Sequence, residues 1–141
     1  MPRVDFYILA DDQPDAHDAF VCRLVAKASR LDHQIHLLCE NKDQLSTLDT
    51  LLWTFSDTEF VAHDQWPSDD CAATVTLGLA AHGLPETTQV CVNLSGALAP
   101  DCERIAEIIA GDDTQKAKGR ERYASYRENG ATMNTHQIGA S

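Results

Sequence analysis

Apolar residues follow two rhythms along this chain. Short, nearly unbroken runs occur at "VDFYIL" (Val4–Leu9), "QIHLLCE" (Gln34–Glu40), "ATVTLG" (Ala73–Gly78) and "TQVCVNLS" (Thr88–Ser95). Their length and turn-forming flanks predict strands, the first of them fully buried. Helical spacing fills the gaps. Phe20, Leu24 and Ala28 fall four apart beside Val21 and Val25, which predicts a helix from Asp15 to about Arg30 after the loop "DDQPD". Leu45, Leu48, Leu51 and Leu52 make the stripe of a second helix ending near Trp53. Asn41 caps it, with Gln44 three residues on as in a capping box. "TFSDTEFVAH" leads into a short strand near Phe60, and "DQWPSDD" and "LAAHGLPET" read as connections. Ile105, Ile108 and Ile109 predict a short helix over Pro100–Ala110, which "GDD" separates from a last helix. From Gly130, "GATMNTHQIGAS" shows neither rhythm and is expected to be an irregular, mobile tail.

Strands alternating with helices imply βαβ crossovers and a mainly parallel sheet. The expected fold is a single α/β domain over residues 1–129, helices on both faces, with a flexible tail over 130–141. A chain of 141 residues suffices for one such core. No apolar run approaches the ~20 residues of a membrane span. The N-terminal apolar stretch is too short for a signal peptide, so a cytosolic protein is expected.

Charge changes the picture. The net charge is -11, yet residues 114–127 hold Lys116, Lys118, Arg120, Arg122 and Arg127 against the single acid Glu121. The remainder holds 6 basic and 21 acidic residues, a field that opposes general duplex-DNA binding. The five cysteines (Cys22, Cys39, Cys71, Cys91, Cys102) are odd in number and irregular in spacing, which speaks against a disulfide framework. Cys39 and Cys91 read as small hydrophobes within apolar runs.

The fold invites a nucleotide, but the chemistry is missing. Strand one runs into "ADDQPD", not a glycine-rich loop, and no GxGxxG or GxxxxGK[ST] occurs. "HQIH" (His33–His36) places its histidines on opposite faces of a strand, a poor metal site. "NLSG" is not a GxSxG elbow. Asp11, Asp12 and Asp15 read as solvated acids at a helix start. His63 and His82 lack an evident partner. No catalytic constellation, metal site or cofactor is implied.

Two segments remain. At 100° per residue, Lys116, Arg120, Tyr123 and Arg127 fall within about 60° on one helix face, while Lys118 and Arg122 lie opposite. Cations around a tyrosine suit an acidic peptide, above all one ending in a carboxylate beside an aromatic residue. Gly119, next to this face, permits close approach of a ligand. The competing reading is a solvated helix that offsets the chain's acidity. The second segment, "LDTLLWTFSDTEFVAH", gathers Trp53, Phe55 and Phe60 at a loop. It reads either as core under the sheet edge or as an anchor for a protein partner.

Taken with "FYIL", "LLCENKDQLSTLDTLLWTF", "EFVAH", "VCVNLS" and "KAKGRERYASYRENG", these segments resemble the chi subunit family of bacterial DNA polymerase III holoenzyme over nearly the whole chain. The resemblance implies a non-catalytic accessory subunit of the clamp-loader complex, with a Rossmann-like fold lacking the phosphate loop. It implies that the chain pairs with the psi subunit and binds the acidic C-terminal tail of single-stranded DNA-binding protein. The tail-binding positions of the family fall on Lys116, Arg120 and Tyr123. Trp53 and Phe60 match positions of the surface shared by psi and, in some bacteria, a helicase-like repair protein. The chain departs from the family at "MNTHQIGAS", which lacks the aromatic expected near the end. Two readings of other classes stand beside it: a single-stranded DNA platform on the basic helix, and a small nucleotide-acting α/β enzyme.

Overall fold

The computed structural model describes residues 2–10, 13–56, 61–68 and 73–139. Among these residues, seven strands and three α-helices follow in the order β1 (Arg3–Leu9), α1 (Pro14–Arg30), β2 (Ile35–Cys39), α2 (Lys42–Thr54), β3 (His63–Gln65), β4 (Val75–Leu79), β5 (Val90–Leu94), β6 (Arg104–Ile109), α3 (Asp113–Glu128) and β7 (Thr132–Ile138), with a 3₁₀ turn at Ala80–His82. The strands form one sheet in the order β3-β4-β2-β5-β6-β1-β7. Every neighbouring pair is parallel.

A parallel sheet covered on both faces needs strands that are apolar on both sides. All five residues of β2 and of β5 are buried. Alternation along each strand divides the side chains between two cores. Leu9 of β1, Leu37 of β2 and Ile108 of β6 pack with Val21 and Val25 of α1 and Leu48 and Leu52 of α2. Val4 and Phe6 of β1 and Ile105 and Ile109 of β6 pack on the other face with Tyr126 of α3. Asn41 caps α2 as expected, its side chain accepting from the Gln44 N–H at 2.9 Å. The Gln44 side chain reaches back to the Glu40 N–H at 2.7 Å.

Two expectations are corrected. Residues 104–109, expected in a helix, form the inner strand β6 between β5 and β1. Ile105, Ile108 and Ile109 are buried on both faces, and their i, i+3, i+4 spacing imitates a helical stripe. The stretch after Gly130, expected as a mobile tail, forms β7 in register with β1 over its whole length. It is an edge strand with mostly half-exposed residues, so it carries no apolar rhythm. Gly130 turns the chain out of α3 with φ 87°, a left-handed conformation that glycine adopts without strain. The strand expected near Phe60 is β3, which begins at His63. Phe60 itself, with Asp11, Asp12 and Cys71, lies outside the described residues.

Candidate functional site

Helix α3 starts at Asp112, whose carboxylate accepts from the Gln115 N–H at 2.8 Å. Its sequence has little amphipathic character, so burial of an apolar stripe alone does not seat it. A polar anchor does part of that work. Arg122 Nε donates to Glu107 Oε1 at 3.1 Å, and Tyr126 donates its hydroxyl hydrogen to Glu107 Oε2 at 2.6 Å. Asn93 Nδ2 donates to the same oxygen at 2.6 Å. The Tyr126 hydroxyl in turn accepts from the Ala99 N–H at 2.9 Å. Glu107 is 1% exposed. Burial pushes its carboxyl pKa up, against the lowering pull of Tyr126, Arg122 and Asn93, and burial together with the Glu107 charge raises the Tyr126 phenol. Arg122, which helical spacing sets opposite Lys116, Arg120 and Tyr123, is a buried partner of the sheet. The signal for it was present as polar Asn93 and Glu107 inside otherwise apolar strands.

Seated this way, α3 faces a cavity of about 250 Å³. Phe6, Ile8 and Ile109 give it an apolar wall, Lys116, Arg120 and Tyr123 line it from the helix, and Thr135 and Gln137 line it from β7. The edge of Tyr123 meets the Phe6 ring, centroids 5.3 Å apart and planes at 61°, which fixes the phenol against β1. Lys116 is half-buried and Arg120 exposed. Arg127 is not among the lining residues. Its guanidinium stands over the Tyr123 ring at 5.8 Å, a cation–π contact. Three of the four residues selected by helical spacing therefore meet in one cavity, and the fourth contacts the third. Gly119 lines the same cavity and has a packing role besides. It brings α3 close to β6, where a Cβ would come 3.0 Å from Ile109 Cδ1.

The arrangement offers two cations at the mouth of an apolar recess, next to main chain of an edge strand. A family model described as DNA polymerase III chi subunit, HolC, matches residues 1–134. The chain belongs to the DNA polymerase III chi subunit family. The DNA polymerase III subunit chi of Pseudomonas aeruginosa is 32% identical, with 98% of both chains covered. Those of Haemophilus influenzae and Escherichia coli are 25% and 26% identical, with at least 95% of both chains covered in each case.

The second segment singled out in this chi-family chain lies at the other end of the sheet. Trp53, at the end of α2, is 48% exposed, and its ring lies 4.3 Å from that of His63 on β3. His63 is buried and held from both nitrogens: Nδ1 faces the Val61 carbonyl at 2.8 Å and Nε2 the Asp49 carbonyl at 3.0 Å. The Asp49 carboxylate is 3.1 Å from Nε2. Trp53 and the α3 cavity thus stand apart in the fold, on α2 near β3 and beside β7, at opposite ends of the strand order.

A larger cavity, about 590 Å³, lies beyond the C-terminal ends of β5 and β6, between the first turns of α2 and α3. Open α/β sheets bind nucleotides in such a crevice. Here Asp18, Glu40, Asp43 and Asp112 line it against Lys118 and Arg122, the latter already paired with Glu107, a wall that opposes phosphate. His36 of the "HQIH" string is buried, with Nδ1 on Thr76 Oγ1 at 2.7 Å, and burial lowers its pKa to about 4. Cys22 and Cys39 are buried, which pushes their thiols up to about 11 and 12, away from reactive thiolate. No helix among the described residues is long and apolar enough to cross a membrane.

Proposed function

We propose that this chain acts as a non-catalytic accessory subunit of the cytoplasmic polymerase III clamp-loader assembly. It joins the psi subunit to the acidic C-terminal tail of single-stranded DNA-binding protein. The observation that carries this reading is the α3 cavity. Lys116 and Arg120 receive the terminal carboxylate and neighbouring acids of the tail, and the recess beside Tyr123 takes its terminal aromatic side chain. Cations at a recess walled by Phe6, Ile8 and Ile109 favour a peptide that is both anionic and aromatic. The strongly acidic remainder of the chain discourages contact with DNA. Trp53, with Phe60, provides the partner surface for psi and, where one exists, a helicase-like repair protein.

Calorimetry with a synthetic acidic peptide ending in Phe tests the reading. Arg120→Ala weakens binding by several-fold or more, since a charged hydrogen bond contributes roughly 1.5–3 kcal/mol. Unchanged affinity sinks the site assignment. A naked oligonucleotide that binds as tightly as the peptide favours the single-stranded DNA platform instead.

A further inference from the structure

β7 ends the sheet, and among the described residues no strand pairs with its outer side. The Thr132 N–H donates to the Pro2 carbonyl at 2.9 Å, and the Ile138 carbonyl accepts from the Ala10 N–H at 2.9 Å. In a parallel ladder, alternate residues turn both main-chain groups to the same neighbour. Even-numbered residues of β7 therefore address β1, and Met133, Thr135 and Gln137 direct N–H and C=O outward. Natural edges are usually blunted by a charged residue such as lysine, a proline, a bulge or shortness. β7 has seven residues, "TMNTHQI", without Lys, Arg, Asp, Glu or Pro, and its register with β1 runs unbroken.

Both flanks of this edge are cationic in a chain of net charge -11. On the α3 side stand Lys116, Arg120 and Arg127. On the other stand the cations Arg3 and Arg104, which together with the His136 ring gather on the buried Asp5 at 3.3, 3.2 and 3.2 Å. Thr135 and Gln137, which turn their main chain outward, also line the α3 cavity with their side chains. Edge and cavity are one continuous surface.

We propose that the free edge of β7 receives the acidic peptide as an eighth, parallel strand, an inference that rests on the acceptor reading of the α3 cavity. Direction follows from the helix. α3 runs against β7, so Lys116 and Gly119 stand level with Ile109 and the far end of β7, while Tyr126 stands level with Phe6. A peptide whose terminal carboxylate sits at Lys116 and Arg120 has its preceding residues toward Arg127 and Met133. It therefore runs parallel to β7. Main-chain bonds to Thr135 and Met133 hold it by strand addition, and acids along it face the flanking cations.

The test is calorimetry with the synthetic acidic peptide, N-methylated at one backbone amide at a time. Upstream of the terminal Phe, methylation at alternate residues weakens binding about three- to tenfold, and at the intervening residues less than about twofold. Thr135→Pro, which removes an outward N–H and no bond to β1, weakens the unmodified peptide to a similar degree while the fold is checked by thermal melting. If every N-methylated peptide binds like the parent while Arg120→Ala still weakens it, the cavity works alone and the added strand is refuted. If the unmodified peptide does not bind at all, the acceptor reading fails and the strand with it. If the peptide-free chain sediments as a dimer that Thr135→Pro dissociates, the edge belongs to a second copy of the chain and the proposal is overturned.

Discussion

Arg122 on α3 and Glu107 on β6 form an ion pair at 3.1 Å, with their side chains 9% and 1% exposed. With the Tyr126–Glu107 bond it ties the helix that carries Lys116 and Arg120 to the sheet that carries the cavity wall. A buried pair of this kind contributes little net stability when intact, because desolvation offsets attraction. Its removal from one side is another matter. Arg122→Ala leaves Glu107 buried without its cation and destabilises the fold by about 3–5 kcal/mol. Urea denaturation checks this. The double variant Arg122→Met with Glu107→Gln recovers part of the loss, since no charge is stranded and the Tyr126 hydroxyl keeps an acceptor.

Asp5 sets a pH dependence of the opposite kind. Burial raises its pKa, but hydrogen bonds from His136 and Arg104 and the charges of Arg3 and Arg104 together outweigh it, and the net shift is downward from 3.8. A lowered carboxyl pKa stabilises the native state above the unfolded value, and that contribution is lost as pH falls through the folded value. The stability difference between the parent chain and Asp5→Asn is therefore full at neutral pH and shrinks below about pH 4. Denaturation series at several pH values measure it. A difference that is constant with pH refutes the assignment.

Gly119 seats α3 against Ile109. Gly119→Val forces the helix away from β6 and destabilises by about 1–3 kcal/mol, as overpacking does. Ile109→Ala in the same chain relieves the clash, so the two substitutions are strongly non-additive in a double-mutant cycle. The single variant also weakens the acidic peptide, because Lys116 and Arg120 move with the helix.

If Trp53 belongs to the proposed partner surface, its substitution separates partner binding from stability. Its ring is half-exposed and its ring contact with His63 is of a kind that contributes about 0.5–1.5 kcal/mol. Trp53→Ala therefore keeps a cooperative thermal transition and loses co-purification with psi. Retained pairing would return this residue to a packing role.

On the proposed reading Lys116 and Arg120 meet the peptide at a solvent-facing surface, where salt screens the contact. Peptide affinity falls steadily between low and physiological ionic strength, and the fall is shallower in Arg120→Ala. Calorimetry across a salt series reads both slopes.

Much of the fold was legible in the chain. The runs at Val4–Leu9 and Gln34–Glu40 are apolar because both faces of the sheet are covered, and the leucine stripe of α2 points to one core. That Lys116, Arg120 and Tyr123 share one face was legible as well, because helical spacing alone gathers them, and they line one cavity. β6 was not, since Ile105, Ile108 and Ile109 satisfy a helical template and a doubly buried strand equally. β7 was hidden for the opposite reason: an edge strand needs few apolar residues. The far wall of the cavity was hidden with it. Phe6 and Thr135 stand side by side only because the first and last strands pair, and nothing local in the sequence announces that. The burial of Arg122 was not legible, because its partner Glu107 lies in a strand whose spacing reads as a helix.

The pairing of β1 with β6 and β7 has a consequence for synthesis. β1 leaves the ribosome first, and both strands that flank it leave last. Until β6 emerges, β1 has no lateral neighbour, while β2, α2, β4 and β5 can already assemble. The loops that must close on β1 span about a hundred residues or more, which makes this closure the slow, high-contact-order step. A truncated nascent chain that lacks the last strands thus holds an exposed apolar ribbon at its head, a ready target for chaperones and proteases.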